Sequence, residues 1–341
     1  MGREAADATT RGRDVSTFRA PLRLPRPPRS DQGATEAPSA WSRADKIGVA
    51  ACWAAGILLC TICAAIMIYM LVRGIQYLTP QLVFSHPQPS LDQSKTGGFL
   101  DPLIGTFVLT VLGIAIALPI GVAIAVWLVE YGRPPKLARA VESGIEVVAG
   151  TPSIVLAIFG LLVFTQQIFG FLSFTAEGNA VFGRSFLTAG AMMSLIALPL
   201  VVGATREALL AIPGHMREAS YAMGKTKAAT IRRVLLPGAR PGIATGATLG
   251  MGRIAGDTAI VAILLGASLQ LSPQGGVPII RILRGTGSTL TSYVYNNSPA
   301  GEGQAPQKAY AAAFVLLVIV VVLNFAVDLV SGRRRSAGWT R

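Results

Sequence analysis

Six apolar stretches alternate with polar segments along the chain, near residues 47–72, 103–129, 147–169, 186–203, 243–269 and 309–330. Each is close to the length of about twenty residues that a helix needs to cross a bilayer. The pattern predicts an all-α polytopic membrane protein with six transmembrane helices. Pro119 and Pro199 fall inside the second and fourth stretches and predict kinks there. Residues 1–45 are rich in Arg, Pro, Ser, Asp and Ala, cannot bury a core, and are expected to be a disordered basic tail. The transmembrane domain is assigned to 46–331, with a second short basic tail at 332–341.

Composition agrees with a membrane protein. The chain has 341 residues, 52% hydrophobic and only 14% charged, and its mean hydropathy is +0.54. A net charge of +13 would suggest nucleic acid in a soluble protein. Here the basic residues sort by loop instead. Segments 1–46, 130–146, 204–242 and 331–341 hold 23 Lys and Arg, whereas 73–102, 170–185 and 270–308 hold 6. That bias predicts that both termini and the 204–242 loop are cytoplasmic. The long segments 73–102 and 270–308 are then extracytoplasmic and are candidate contacts for a solute-binding protein. Within them, 281–284 is expected to be a short interfacial helix and 286–307 a loop.

Cys52, Cys60 and Cys63 all lie in the first apolar stretch and supply no disulfide framework or metal-ligand pattern. His86 and His215 stand alone and are expected to be solvated.

The 204–242 loop carries the most specific pattern in the chain. Glu218-Ala219-Ser220, Gly224, Val234, Leu236 and Pro237 fit E-A-[small]-x3-G-x9-[apolar]-x-L-P. The segment reads as one short helix over 218–224, turned or ended by Gly224, and a second over 225–236, closed by Pro237. The bland reading is an amphipathic connector lying on the membrane. Gly224-Lys225-Thr226 looks like the end of a P-loop, but Ala219 stands where that motif needs glycine, and no apolar strand precedes it.

The fifth stretch has Gly238, Gly242, Gly246 and Gly250 at intervals of four, so one helix face is nearly bare backbone on which another helix can pack. Beyond it come Arg253 and Asp257, which an unbroken helix would put on one face. Placing an arginine in the membrane costs roughly 2.5–3.5 kcal/mol on insertion scales, so Arg253 should face a bundle interior, a partner or a polar pathway. On physical grounds the pair is either a structural ion pair or a transport element. The third stretch includes Gly150-Thr151-Pro152-Ser153, where Pro152 is suited to a helix start. Asn324 in the last stretch is expected to make an interhelical hydrogen bond.

The loop pattern resembles the coupling loop of permease subunits in binding-protein-dependent ABC importers. Gly150-x-Pro152-Ser153-Ile154-Val155, Glu130-Tyr131, Leu323-Asn324 and Arg253-x-x-Gly256-Asp257-Thr258 resemble the phosphate importer permeases of the PstA type. That family has Ala at Ser220 and Glu at Asp257. The resemblance covers about residues 45–330. It implies a non-catalytic subunit of the bacterial inner membrane that imports inorganic phosphate, with sulfate or molybdate as the alternative oxyanions. An ATP-independent carrier or channel is the remoter alternative. It implies a homologous PstC-like permease, two PstB-like ATPase subunits that bind ATP and Mg, and an extracytoplasmic PstS-like phosphate-binding protein. The chain itself would hold no cofactor. The resemblance assigns ATPase coupling to Glu218, Ala219, Ser220, Gly224, Leu236 and Pro237, and the substrate pathway to Arg253 and Asp257. Helix start and packing fall to Gly150, Pro152, Ser153, Gly246 and Gly250.

Overall fold

A computed structural model describes residues 43–88, 97–173, 183–266, 282–299 and 305–332. The basic tail up to residue 42, the last nine residues, and Arg281 of the expected interfacial helix lie outside the described residues. By contact the chain divides into two units, 1–64 and 65–341. The described part of the first is the exposed beginning of helix α1, Arg43–Tyr77. In the second follow α2 (Pro80–Phe84), α3 (Leu100–Val126), α4 (Pro135–Gly150), α5 (Ser153–Phe164), α6 (Phe186–Leu210), α7 (Gly214–Ala222), α8 (Lys227–Thr230), α9 (Leu236–Gly256), α10 (Leu290–Asn297) and α11 (Pro306–Gly332). Wider π turns extend α3 over Trp127–Tyr131, join α8 to α9 over Ile231–Leu235, and form Val261–Leu265.

Among the described residues, four helices are long and apolar enough to cross a membrane: Arg43–Tyr77, Leu100–Tyr131, Phe186–Leu210 and Pro306–Leu329. A bent pair, Pro135–Gly150 with Ser153–Phe164, raises this to five at most. The expectation of six spanning helices is therefore corrected. The third apolar stretch is not one helix, because the chain turns by 108° between Gly150 and Ser153. Pro152 has no N–H to continue α4 and instead precedes α5, as its N-cap. The fifth stretch ends as an α-helix at Gly256, and Asp257 is extended, with φ −82° and ψ 130°. The α9 sequence, rich in glycine and carrying Arg240 and Arg253, is poorly suited to face lipid alone. It packs among α3, α6 and α11.

The α9 glycine face lies on α6. Gly246 sits over Val201 and Ala204, and Gly250 over Ala197 and Val201. Around this contact α3, α5, α6 and the 260–265 segment bury Leu109, Phe186, Met193, Ile254, Ile260 and Leu264. A second apolar cluster joins the end of α3 to α6 and the 231–239 segment through Ala125, Val202, Leu209, Ile231 and Leu235. A third, at the opposite end, gathers Phe99, Leu290, Tyr293 and Ala312; there burial pushes the Tyr293 phenol up to about 12.

Two further expectations are corrected. The 286–307 segment is not loop throughout, since α10 lies inside it. Thr289 starts that helix by accepting from Ser292 N while Ser292 Oγ accepts from Thr289 N. His86 is not isolated, because its Nδ1 lies 2.9 Å from Asp101 Oδ1 at the start of α3. Asn324 Oδ1 is buried with no hydrogen-bond partner among the described residues, so this oxygen makes no interhelical bond to them.

Candidate coupling and substrate-pathway sites

Helix α7 ends in a Schellman turn. Gly224 N donates to Tyr221 O at 2.9 Å and Lys225 N to Ser220 O at 3.2 Å, with Gly224 at φ +72°. A side chain there would meet nothing within 4 Å, so the backbone angle, and not packing, selects glycine. Glu218, Ala219 and Tyr221 are exposed, while Ser220 is buried. The Ser220 and Thr230 hydroxyls are 2.8 Å apart, which fastens α7 to the next helix. Thr226 caps that helix by accepting from Ala229 N.

Pro237 does not close the helical pair. It lies in the first turn of α9, which continues α8 without a gap. Because Pro237 has no N–H to give to the carbonyl four residues back, the helix widens just before it, and Leu236 N donates to Ile231 O. Leu236 and Pro237 border a cleft of about 470 Å³ lined also by Leu118, Pro119, Val122, Arg232 and Arg240.

What holds α7 in place has no signature in the local sequence. Arg217 Nε donates to Glu130 Oε1 at 3.1 Å, and its two terminal nitrogens donate to Ile212 O and Leu209 O at 2.9 Å each. Lys227 Nζ donates to Glu130 O and stands 4.4 Å from the Tyr131 ring centroid. Glu130-Tyr131 was visible as a motif, but its partners lie 87 and 97 residues away.

Arg253 and Asp257 come together, though not as two positions on one helix. The break at Asp257 separates them, and Arg253 Nη2 lies 3.9 Å from Asp257 Oδ2. Their exposures differ sharply: 48% for the arginine side chain and 3% for the aspartate. Asp257 is anchored, with Oδ1 accepting from Ile260 N at 3.0 Å and its carbonyl accepting from Thr291 Oγ1 at 3.3 Å. A fixed carboxylate thus faces a guanidinium that remains accessible on the surface of this chain. At the other break, Gly150 ends α4 and is open around its Cα, while Ser153 begins α5.

Residues 102–336 match the family described as binding-protein-dependent transport system inner membrane component. The chain belongs to that family. It is 33% identical over 248 residues to phosphate transport system permease protein PstA 1 of Mycobacterium tuberculosis (strain ATCC 25618 / H37Rv), covering 72% of this chain and 74% of the relative. It is 30% identical over 247 residues to phosphate transport system permease protein PstC of Xylella fastidiosa (strain 9a5c), covering 69% and 72%. A probable ABC transporter permease protein, YqgI of Bacillus subtilis (strain 168), is 29% identical over 79% of this chain and 90% of its own. Among solved structures, a chain of a bacterial alginate ABC transporter, in complex with a periplasmic protein bound to alginate pentasaccharide, superposes with a TM-score of 0.59. That match has 17% identity and covers 87% of this chain and 97% of that one; it speaks for the fold alone.

The protein is therefore a non-catalytic, polytopic inner-membrane permease subunit of an ABC-type importer, related to the PstA and PstC permeases, and belongs to a multi-subunit transport complex.

Proposed function

We propose that this permease imports inorganic phosphate. It forms half of the translocation path with a homologous PstC-like permease. Two PstB-like ATPase subunits bind ATP and Mg and drive it, and a PstS-like extracytoplasmic protein delivers the anion. The observation that carries the reading is the unequal pair at the α9 break: Arg253 exposed, Asp257 buried and anchored. An arginine offers a tetrahedral oxyanion several fixed donors, and the carboxylate can receive it again when the anion leaves. The names of the PstA and PstC relatives support the same cargo.

The power stroke enters through α7 and the turn at Gly224. Glu218, Ala219, Ser220 and Gly224 form the knob that sits in the ATPase groove, and Leu236 and Pro237 begin the helix that carries the motion inward. Gly150, Pro152 and Ser153 set the start of α5, and Gly246 and Gly250 the close packing of α9. The charge bias among the loops supports a cytoplasmic position for the coupling loop and both termini. On this reading 46–331 is the transmembrane domain, flanked by two basic tails.

The test is uptake into proteoliposomes that contain the assembled importer, with phosphate, sulfate and molybdate compared as substrates and competitors. Phosphate should drive ATP hydrolysis and be taken up. Preference for sulfate or molybdate would reassign the cargo, and uptake without ATP would refute the importer mechanism.

A further inference from the structure

Helix α7 has only nine residues, too few to hold a fixed orientation through its own hydrogen bonds. Something outside it must set its angle. Arg217, in its second turn, touches the ends of two long helices at once. Leu209 O belongs to the last turn of α6 and Ile212 O to the turn just after it, at a helix end where carbonyls run short of intrahelical donors. Glu130 lies in the π turn that ends α3, its side chain 8% exposed against 21% for Arg217. Three nitrogens of one planar guanidinium therefore bind acceptors at the end of α3, in the last turn of α6 and in the turn that follows α6. Lys227 reaches the same π turn from α8 and closes the arrangement on the other side of the Gly224 turn.

We infer that Arg217, with Glu130, is the positioning joint that converts a displacement of the coupling helix into movement of the cytoplasmic ends of α3 and α6. This rests on α7 being the ATPase contact. The geometry requires arginine, because a lysine ammonium is a compact donor that cannot span the carboxylate and both carbonyls. It requires the carboxylate as well, because the buried charge of Glu130 holds the fork against α3. Loss of the joint leaves α7 present and able to dock, but free to turn on its own.

The experiment uses the complete importer in proteoliposomes, with whichever of phosphate, sulfate or molybdate stimulates the wild-type complex. Arg217→Lys and Glu130→Gln are compared with wild type for ATP hydrolysed per anion imported. Complex yield and cross-linking of Met223→Cys, an exposed position at the end of α7, to the ATPase subunit are followed in the same preparations. The expected result is retained cross-linking and ATP hydrolysis, with the ATP-to-anion ratio raised about fivefold or more. A ratio unchanged in both variants would overturn the joint. So would uptake and hydrolysis falling together with complex yield, which is the mark of a merely structural contact. If Arg217→Lys assembles poorly, Glu130→Gln, which keeps the volume and a carbonyl acceptor, decides. Absence of cross-linking in the otherwise wild-type complex would instead remove the coupling role of α7, and the joint with it.

Discussion

Gly242 stands so close to Ala208 that a Cβ added to it would overlap the alanine methyl and lie 3.0 Å from the Ala204 carbonyl oxygen. Neither obstacle can swing aside, since one is a methyl fixed to its backbone and the other is backbone. Gly242→Leu should separate α9 from α6 and cost about 1–3 kcal/mol or more, as overpacking does. Gly252→Ala, where an added Cβ meets nothing within 4 Å, should be neutral or slightly stabilising. Thermal unfolding of the purified complex should show a lowered midpoint for the first substitution only. Equal midpoints would mean that the glycine face is not a packing surface.

At Gly224 the expected order differs, because the constraint is the angle and not the space. Asparagine tolerates a left-handed backbone, whereas a β-branched residue does not. Gly224→Asn should retain most uptake and Gly224→Val should lose it, with the protein still in the membrane. Similar uptake in both would show that the turn does not transmit work.

The Arg253 and Asp257 pair offers a separation of charge from structure. Asp257→Asn keeps an oxygen that can accept from Ile260 N, so the break after α9 should survive. Arg253→Gln should abolish phosphate uptake with full complex yield if the guanidinium contacts the anion. Uptake restored in the double variant Arg253→Gln/Asp257→Asn would show that the arginine only neutralises its partner.

Sidedness follows from exposed positions at opposite ends of the fold. His215 on α7 and Tyr295 on α10, the latter 66% exposed, are suitable for replacement by cysteine in a background lacking Cys52, Cys60 and Cys63. In intact cells a membrane-impermeant thiol reagent should label Tyr295→Cys and spare His215→Cys. The opposite labelling would invert the orientation drawn from the loop charges.

The α7 turn is legible because its determinants are local: a glycine at φ +72° closes the Glu218-Ala219-Ser220 segment, and both Schellman bonds close within six residues. The third and fifth stretches depart from the expected spans for the opposite reason. An apolar stretch averages over Gly150 to Ser153 and over Asp257, while one proline or one extended residue is enough to end a helix. The signal at Pro152 was present, but the apolar residues on either side made the break look like the interior of a span. No local pattern could reveal Glu130 and Arg217 as partners. Their pairing depends on the ends of α3 and α6 arriving side by side, which only the packed helices decide.

Residues 227–256 form one continuous run of helix, π turn included. At the usual rise it is about 45 Å long. Such a run, moving as one, multiplies angle into distance: a tilt of about 5° at the Lys227 end sweeps the Arg253 end through about 3.4 Å, more than a hydrogen-bond length. An input too small to be called a conformational change at one end of this lever is thus enough, at the other, to make or break a contact.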